Sequence, residues 1–82
     1  MRLRKKRLGN SNLIGANVQK IRKEKEIKQK ELLAQLQVKG IDMNASALSK
    51  LEGQVRKATD IETLALAEVL NVPISTLFER DK

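Results

Sequence analysis

QKELLAQLQVKGIDMNASALSKLEG, the stretch from Gln29 to Gly53, decides the fold. Its first half places Leu32, Leu33 and Leu36 at the three-to-four-residue interval of a helix with one buried face, predicting a helix that starts near Lys28 or Gln29. Gly40 is the expected stop, because glycine takes the left-handed conformation after a last helical turn without steric cost. Asn44 carries the short polar side chain of a good N-cap, and Met43 before it can staple onto Leu48. Leu48 and Leu51, three residues apart, turn a second and shorter helix inward, and Gly53 ends it. A helix this short must draw its stability from packing.

The same reading extends in both directions. Upstream, Ile14, Val18 and Ile21 fall at i, i+4 and i+7, predicting a helix from Leu13 or Ile14 to Lys25 whose other faces carry Gln19, Lys20, Arg22, Lys23, Glu24 and Lys25. Downstream, Thr59-Asp60-Ile61-Glu62 is a capping box that opens onto an apolar run. Ile61, Leu64, Ala65, Ala67 and Leu70 are its expected buried set. Asn71 closes that helix and Pro73 forbids simple continuation. A last turn, about Ser75 to Glu79, is expected to return Leu77 and Phe78 to the core. The fold class is therefore all-α, five short helices over residues 13–82. Residues 1–12, basic and then small and polar without helical period, read as a flexible basic N-terminal arm.

Composition narrows the function. Eighty-two residues make one domain. There is no Cys and no His, which excludes thiolate chemistry, a disulfide framework and the commonest general base and metal ligand. No metal, cofactor or small-molecule ligand is expected. The absence of cysteine fits a reducing cytoplasm. With Phe78 as its one aromatic, the chain lacks platforms for stacking unpaired bases. Leu8 to Ala16 is too polar for a signal-peptide core, and no window approaches the ~20 apolar residues of a membrane span. Carboxylates are scattered, with no Gly-rich phosphate loop and no nucleophile–base pair, so an enzyme is not expected. The net charge is +7, and it is uneven. Residues 1–30 hold eleven Lys/Arg against two Glu; residues 31–82 hold six against eight Asp/Glu. A basic front points to a polyanion partner.

Five stretches in this order carry a resemblance: Ile14-Gly15 through Ile21-Arg22-Lys23-Glu24-Lys25; Gln29-Lys30-Glu31-Leu32; Leu48-Ser49-Lys50-Leu51-Glu52; Arg56 with Thr59-Asp60 and Glu62; and Leu70-Asn71-Val72 through Leu77-Phe78. Together they resemble the Cro/C1-type helix-turn-helix family, the phage and bacterial repressor domains related to xenobiotic-response-element regulators. The resemblance implies a repressor-like domain that binds double-stranded DNA with its third helix, about residues 44–52, in the major groove. It puts Asn44, Ala45, Ser46, Ser49 and Lys50 at base edges. Lys28, Gln29 and Lys30 at the start of the second helix, with Gln54, Arg56 and Lys57 after the third, are expected on phosphates. Arg22 and Glu52 are expected to pair structurally rather than touch DNA. Arg2, Arg4, Lys5, Lys6 and Arg7 are expected to follow a minor groove or phosphates. Operator half-sites call for a homodimer, which can form on the DNA itself.

Two features depart from the family. The turn filled by Val38 to Met43 is about five residues longer than usual, either extending the second helix or looping outward. Leu33 stands where a small Ala is common. Two alternatives also stay open: an antitoxin or other protein-interaction module on the same fold, and a nonspecific basic binder of RNA or ribosomes.

Overall fold

The computed structural model describes residues 9–80, so the basic cluster Arg2, Arg4, Lys5, Lys6 and Arg7 lies outside the described residues. Among the described residues the secondary structure is helical throughout: α1 (Gly15–Glu24), α2 (Gln29–Val38), α3 (Ala45–Glu52), α4 (Asp60–Leu70) and α5 (Ile74–Leu77). α1 packs on α3, α4 and α5; α2 packs on α3 and α4; α4 packs on α5. Ile14 and Val18, Leu32 and Leu36, Leu48 and Leu51, Leu66 and Leu70, and Leu77 meet in one core.

The capping chemistry matches the helix starts. Asn44 Oδ1 accepts from the Ala47 N–H at 2.8 Å. Thr59 and Glu62 exchange the two bonds of a capping box, each at 3.1 Å. At the start of α2, Glu31 reaches back to the Lys28 N–H at 2.9 Å. Four helix ends share one pattern, in which a left-handed residue lets the next N–H return to a carbonyl five residues back. The left-handed residues are Glu26, Gly40, Gln54 and Asn71, and the returning bonds run from Ile27 to Arg22, Ile41 to Leu36, Val55 to Lys50 and Val72 to Ala67. Gly40 and Asn71 are the stops that composition announces. After α3 the left-handed residue is Gln54 (φ 63°) rather than Gly53, which takes an ordinary helical φ.

The long turn neither extends α2 nor loops outward. α2 ends at Val38, the Gly40 motif reverses the chain, and Ile41 and Met43 pack against the core before Asn44 opens α3. Leu33 is half-buried rather than buried, beside Ile41 and Met43. Ile41 and Met43 thus give the Leu33 side chain a packing site at the edge of the core.

Three expectations of burial are corrected. In α4 the buried set is Thr63, Ala65, Leu66, Ala67 and Leu70, so Ala65, Ala67 and Leu70 are buried as expected, whereas Ile61 and Leu64 are 67% and 50% exposed. A helix this uniformly apolar gives periodicity little to choose between faces. Thr63 can face inward because its hydroxyl donates to the Thr59 carbonyl at 2.9 Å. Phe78 is likewise exposed, since α5 lasts only four residues and Leu77 alone fills the core position. Finally, Gly9 to Asn12 do not belong with a free arm. The N–H groups of Gly9 and Ser11 donate to the carbonyls of Gly53 and Gln54 at 2.8 and 2.9 Å, and Asn12 is buried.

Candidate nucleic-acid interface

The cap and outward side of α3 present an open, largely polar face: Asn44, Ala45, Ser46, Ser49 and Lys50 are all exposed. Leu48, Leu51 and Glu52 supply the opposite, buried face. Asn44 spends its carbonyl oxygen on the cap, leaving its amide N–H groups as the donors it can offer outward.

A polar network anchors this helix. Arg22 Nε donates to Glu52 Oε2 at 2.7 Å, and its Nη2 donates to Oε1 at 3.1 Å. Its Nη1 donates to the Ile27 carbonyl at 2.9 Å, so one guanidinium ties the end of α1 and the following turn to the end of α3. Gln29 completes the network, its Nε2 lying 3.1 Å from Glu52 Oε1 and 3.3 Å from Ser49 Oγ.

The six residues expected on phosphates divide into two groups. Lys28, Lys30 and Lys57 are exposed, and among the described residues none of them, nor Lys50, forms a salt bridge. The other three have side chains turned into the protein. Both N–H donors of the Gln29 amide are engaged by Glu52 and Ser49, so its side chain is not placed as a phosphate donor. Gln54 Nε2 donates to the Asn12 carbonyl at 3.0 Å. Arg56 meets both carboxylate oxygens of Glu62 at 3.2 Å, which pairs its charge with the capping box of α4. Burial by itself pushes the Glu62 carboxyl up. The hydrogen bond from Arg56, the bonds from the Thr59 backbone and hydroxyl, and the Arg56 charge outweigh burial and hold it below the usual range.

Asn12 is the residue that sequence reasoning missed. Its Oδ1 accepts from the N–H groups of Ile14 and Gly15 at 3.1 and 2.7 Å, filling the start of α1. Its Nδ2 donates to the carbonyls of Leu51 and Arg56 at 3.1 and 2.7 Å. One side chain therefore joins the first helix to both sides of the α3 exit. The available signal was an Asn two residues before an apolar stripe begins, the position of an Asx turn.

Among the described residues no cluster of His, Cys, Asp and Glu could hold a metal ion, and no helix is long and apolar enough to cross a membrane. In comparisons with known proteins, no family model, no curated protein and no solved structure matches this chain.

Proposed function

We propose that this chain is a sequence-specific double-stranded-DNA-binding domain of a transcriptional regulator, a repressor-like helix-turn-helix in which α3 enters the major groove. The observation that carries the reading is the exposed face Asn44, Ala45, Ser46, Ser49 and Lys50, backed by a buried Arg22–Glu52 pair. A short helix with small outward side chains fits a groove about 12 Å wide, and its rigid seating suits the reading of base edges. Lys28, Lys30 and Lys57 supply unpaired positive charge from the flanking segments, suited to phosphates. The order of stretches resembling Cro/C1-type repressors supports the same reading, as does the net charge of +7.

Selection from a randomised duplex library, followed by titration of the selected and a scrambled duplex at two salt concentrations, tests it. The expected result is a tighter complex with the selected duplex at both salts. Equal affinity for the two duplexes overturns sequence-specific binding and favours a nonspecific basic binder.

A second reading is a protein-interaction module on the same helices. The exposure of Leu13, Ile61, Leu64, Ile74 and Phe78 favours it, because exposed large apolar side chains that cluster mark contact surfaces. Leu13, Ile74 and Phe78 line one shallow groove. The two readings are compatible if that face joins two copies on DNA.

A further inference from the structure

The bond between Gln29 and Ser49 has a direction that its geometry fixes. Glu52 already accepts two hydrogen bonds from Arg22, and a carboxylate has only oxygens to offer. Gln29 at 3.1 Å from Glu52 Oε1 must therefore turn its NH2 group, not its carbonyl, toward that oxygen. The same nitrogen lies 3.3 Å from Ser49 Oγ, and an amide nitrogen does not accept hydrogen bonds. Ser49 is thus the acceptor there and keeps its own proton for another partner. Hydroxyls within helices commonly give that proton to the carbonyl four residues back, as Thr63 does to Thr59. Among the described residues Ser49 makes no such bond, and its side chain lies on the exposed face of α3.

We propose that Gln29 is a positioning residue that fixes the Ser49 hydroxyl as a hydrogen-bond donor toward the DNA, so that the base facing Ser49 presents an acceptor edge. The inference rests on the DNA-binding reading above. In the major groove the acceptors are N7 of either purine, O6 of guanine and O4 of thymine, while cytosine presents a donor. Cytosine meets only the second lone pair of Oγ and leaves the Ser49 proton without a partner, so a purine or thymine is preferred opposite Ser49. Arg22, Glu52, Gln29 and Ser49 act as a relay in which a buried ion pair sets the polarity of a surface hydroxyl.

The test uses the full chain and its selected duplex, with cytosine introduced at each position in turn. Ser49→Ala is expected to lose about tenfold discrimination against cytosine at one position. Gln29→Met, which keeps length but removes the donors, is expected to lose discrimination at that same position while the others and the salt slope stay unchanged. The double variant is expected to be no worse there than Ser49→Ala. Gln29→Met weakening every duplex alike, with no loss confined to one position, would make Gln29 a phosphate contact and overturn the proposal. NMR of the free protein provides a readout that needs neither variant nor DNA. Both Gln29 side-chain amide protons are expected to be slowed in exchange with water relative to an exposed glutamine, and exchange as fast as that overturns the relay. Protected amide protons together with no duplex preference in the unsubstituted chain would refute the DNA reading, and the hydroxyl's role with it, but not the relay geometry.

Discussion

Arg22 and Glu52 face each other through two N–H···O bonds of 2.7 and 3.1 Å, with side chains only 10% and 1% exposed. The pair joins the last turn of α1 to the last turn of α3, so the orientation of the exposed α3 face depends on it. Removing one partner strands a charge that water reaches poorly, which costs about 3–5 kcal/mol in buried pairs. Arg22→Ala is therefore expected to lower stability by that order in urea denaturation. The double variant Arg22→Met with Glu52→Leu, which removes both charges, is expected to lose less. An unchanged denaturation midpoint for Arg22→Ala would show that the pair does not hold the fold.

Gly15 makes a closer approach than any other side chain would allow. A Cβ built there would lie 1.9 Å from the Leu51 carbonyl oxygen and 3.0 Å from Asn12 Oδ1. The first obstacle is backbone, so relief requires α1 to move away from α3. Gly15→Ala is expected to cost about 1–3 kcal/mol, as overpacking does, despite alanine's better helix propensity. Thermal denaturation checks this, and a rise in melting temperature would contradict the close approach.

How much of this was legible in the sequence depended on whether the signal was local. The caps at Asn44 and Thr59, the stops at Gly40 and Asn71 and the leucine spacing of α2 and α3 are each written within a few residues. The wet and dry faces of α4 are not, because Ile61, Leu64, Leu66 and Val69 leave no polar stripe to orient it. Its burial is decided by what packs against it. Exposure of the α3 face and of three flanking lysines followed the reading. The inward turn of Gln29, Gln54 and Arg56 did not, since each partner is fixed by the tertiary arrangement or by the geometry of a cap. Residue type alone leaves all three available as phosphate donors.

Glu26 carries a conformation that its side chain disfavours. It sits at φ 59° after α1, where a Cβ costs roughly 1–2 kcal/mol relative to a right-handed residue. Glycine there avoids that cost but loses about 0.5–1 kcal/mol through its freer unfolded chain. Glu26 is exposed, so little else is lost. Glu26→Gly is expected to raise the melting temperature by about 2–4 °C, the shift for roughly half a kcal/mol in a domain of this size. A lower melting temperature would count against the strain argument.

The Glu62 carboxyl sets an acid limit on stability. Its pKa is held below the ordinary value in the folded chain, so the unfolded chain binds the proton more readily. Its contribution is fully present above the ordinary glutamate range and is lost as pH falls through the lowered folded value. Stability measured from pH 7 downward is expected to fall in that acid window. Glu62→Gln is expected to reduce the fall, and Arg56→Ala to reduce it as well by removing the main partner. An acid profile identical in all three proteins would exclude Glu62 as its source.

The lysines and Arg56 should separate in salt titrations of DNA binding. Removing one cation from a phosphate changes the slope of log affinity against log salt by about 0.9. Lys28, Lys30 and Lys57 are exposed and carry charge that no described carboxylate pairs. Arg56 has its guanidinium on Glu62. Alanine at each of the three lysines is expected to reduce the slope by close to one while weakening all duplexes alike. Arg56→Ala, assayed well below its melting temperature, is expected to change stability more than slope. Lys50→Ala, on the exposed α3 face, is expected to alter the preferred sequence. A drop of a full unit in slope on Arg56→Ala, with no change for the three lysines, would move the phosphate path from the start of α2 to the Glu62 side of the domain.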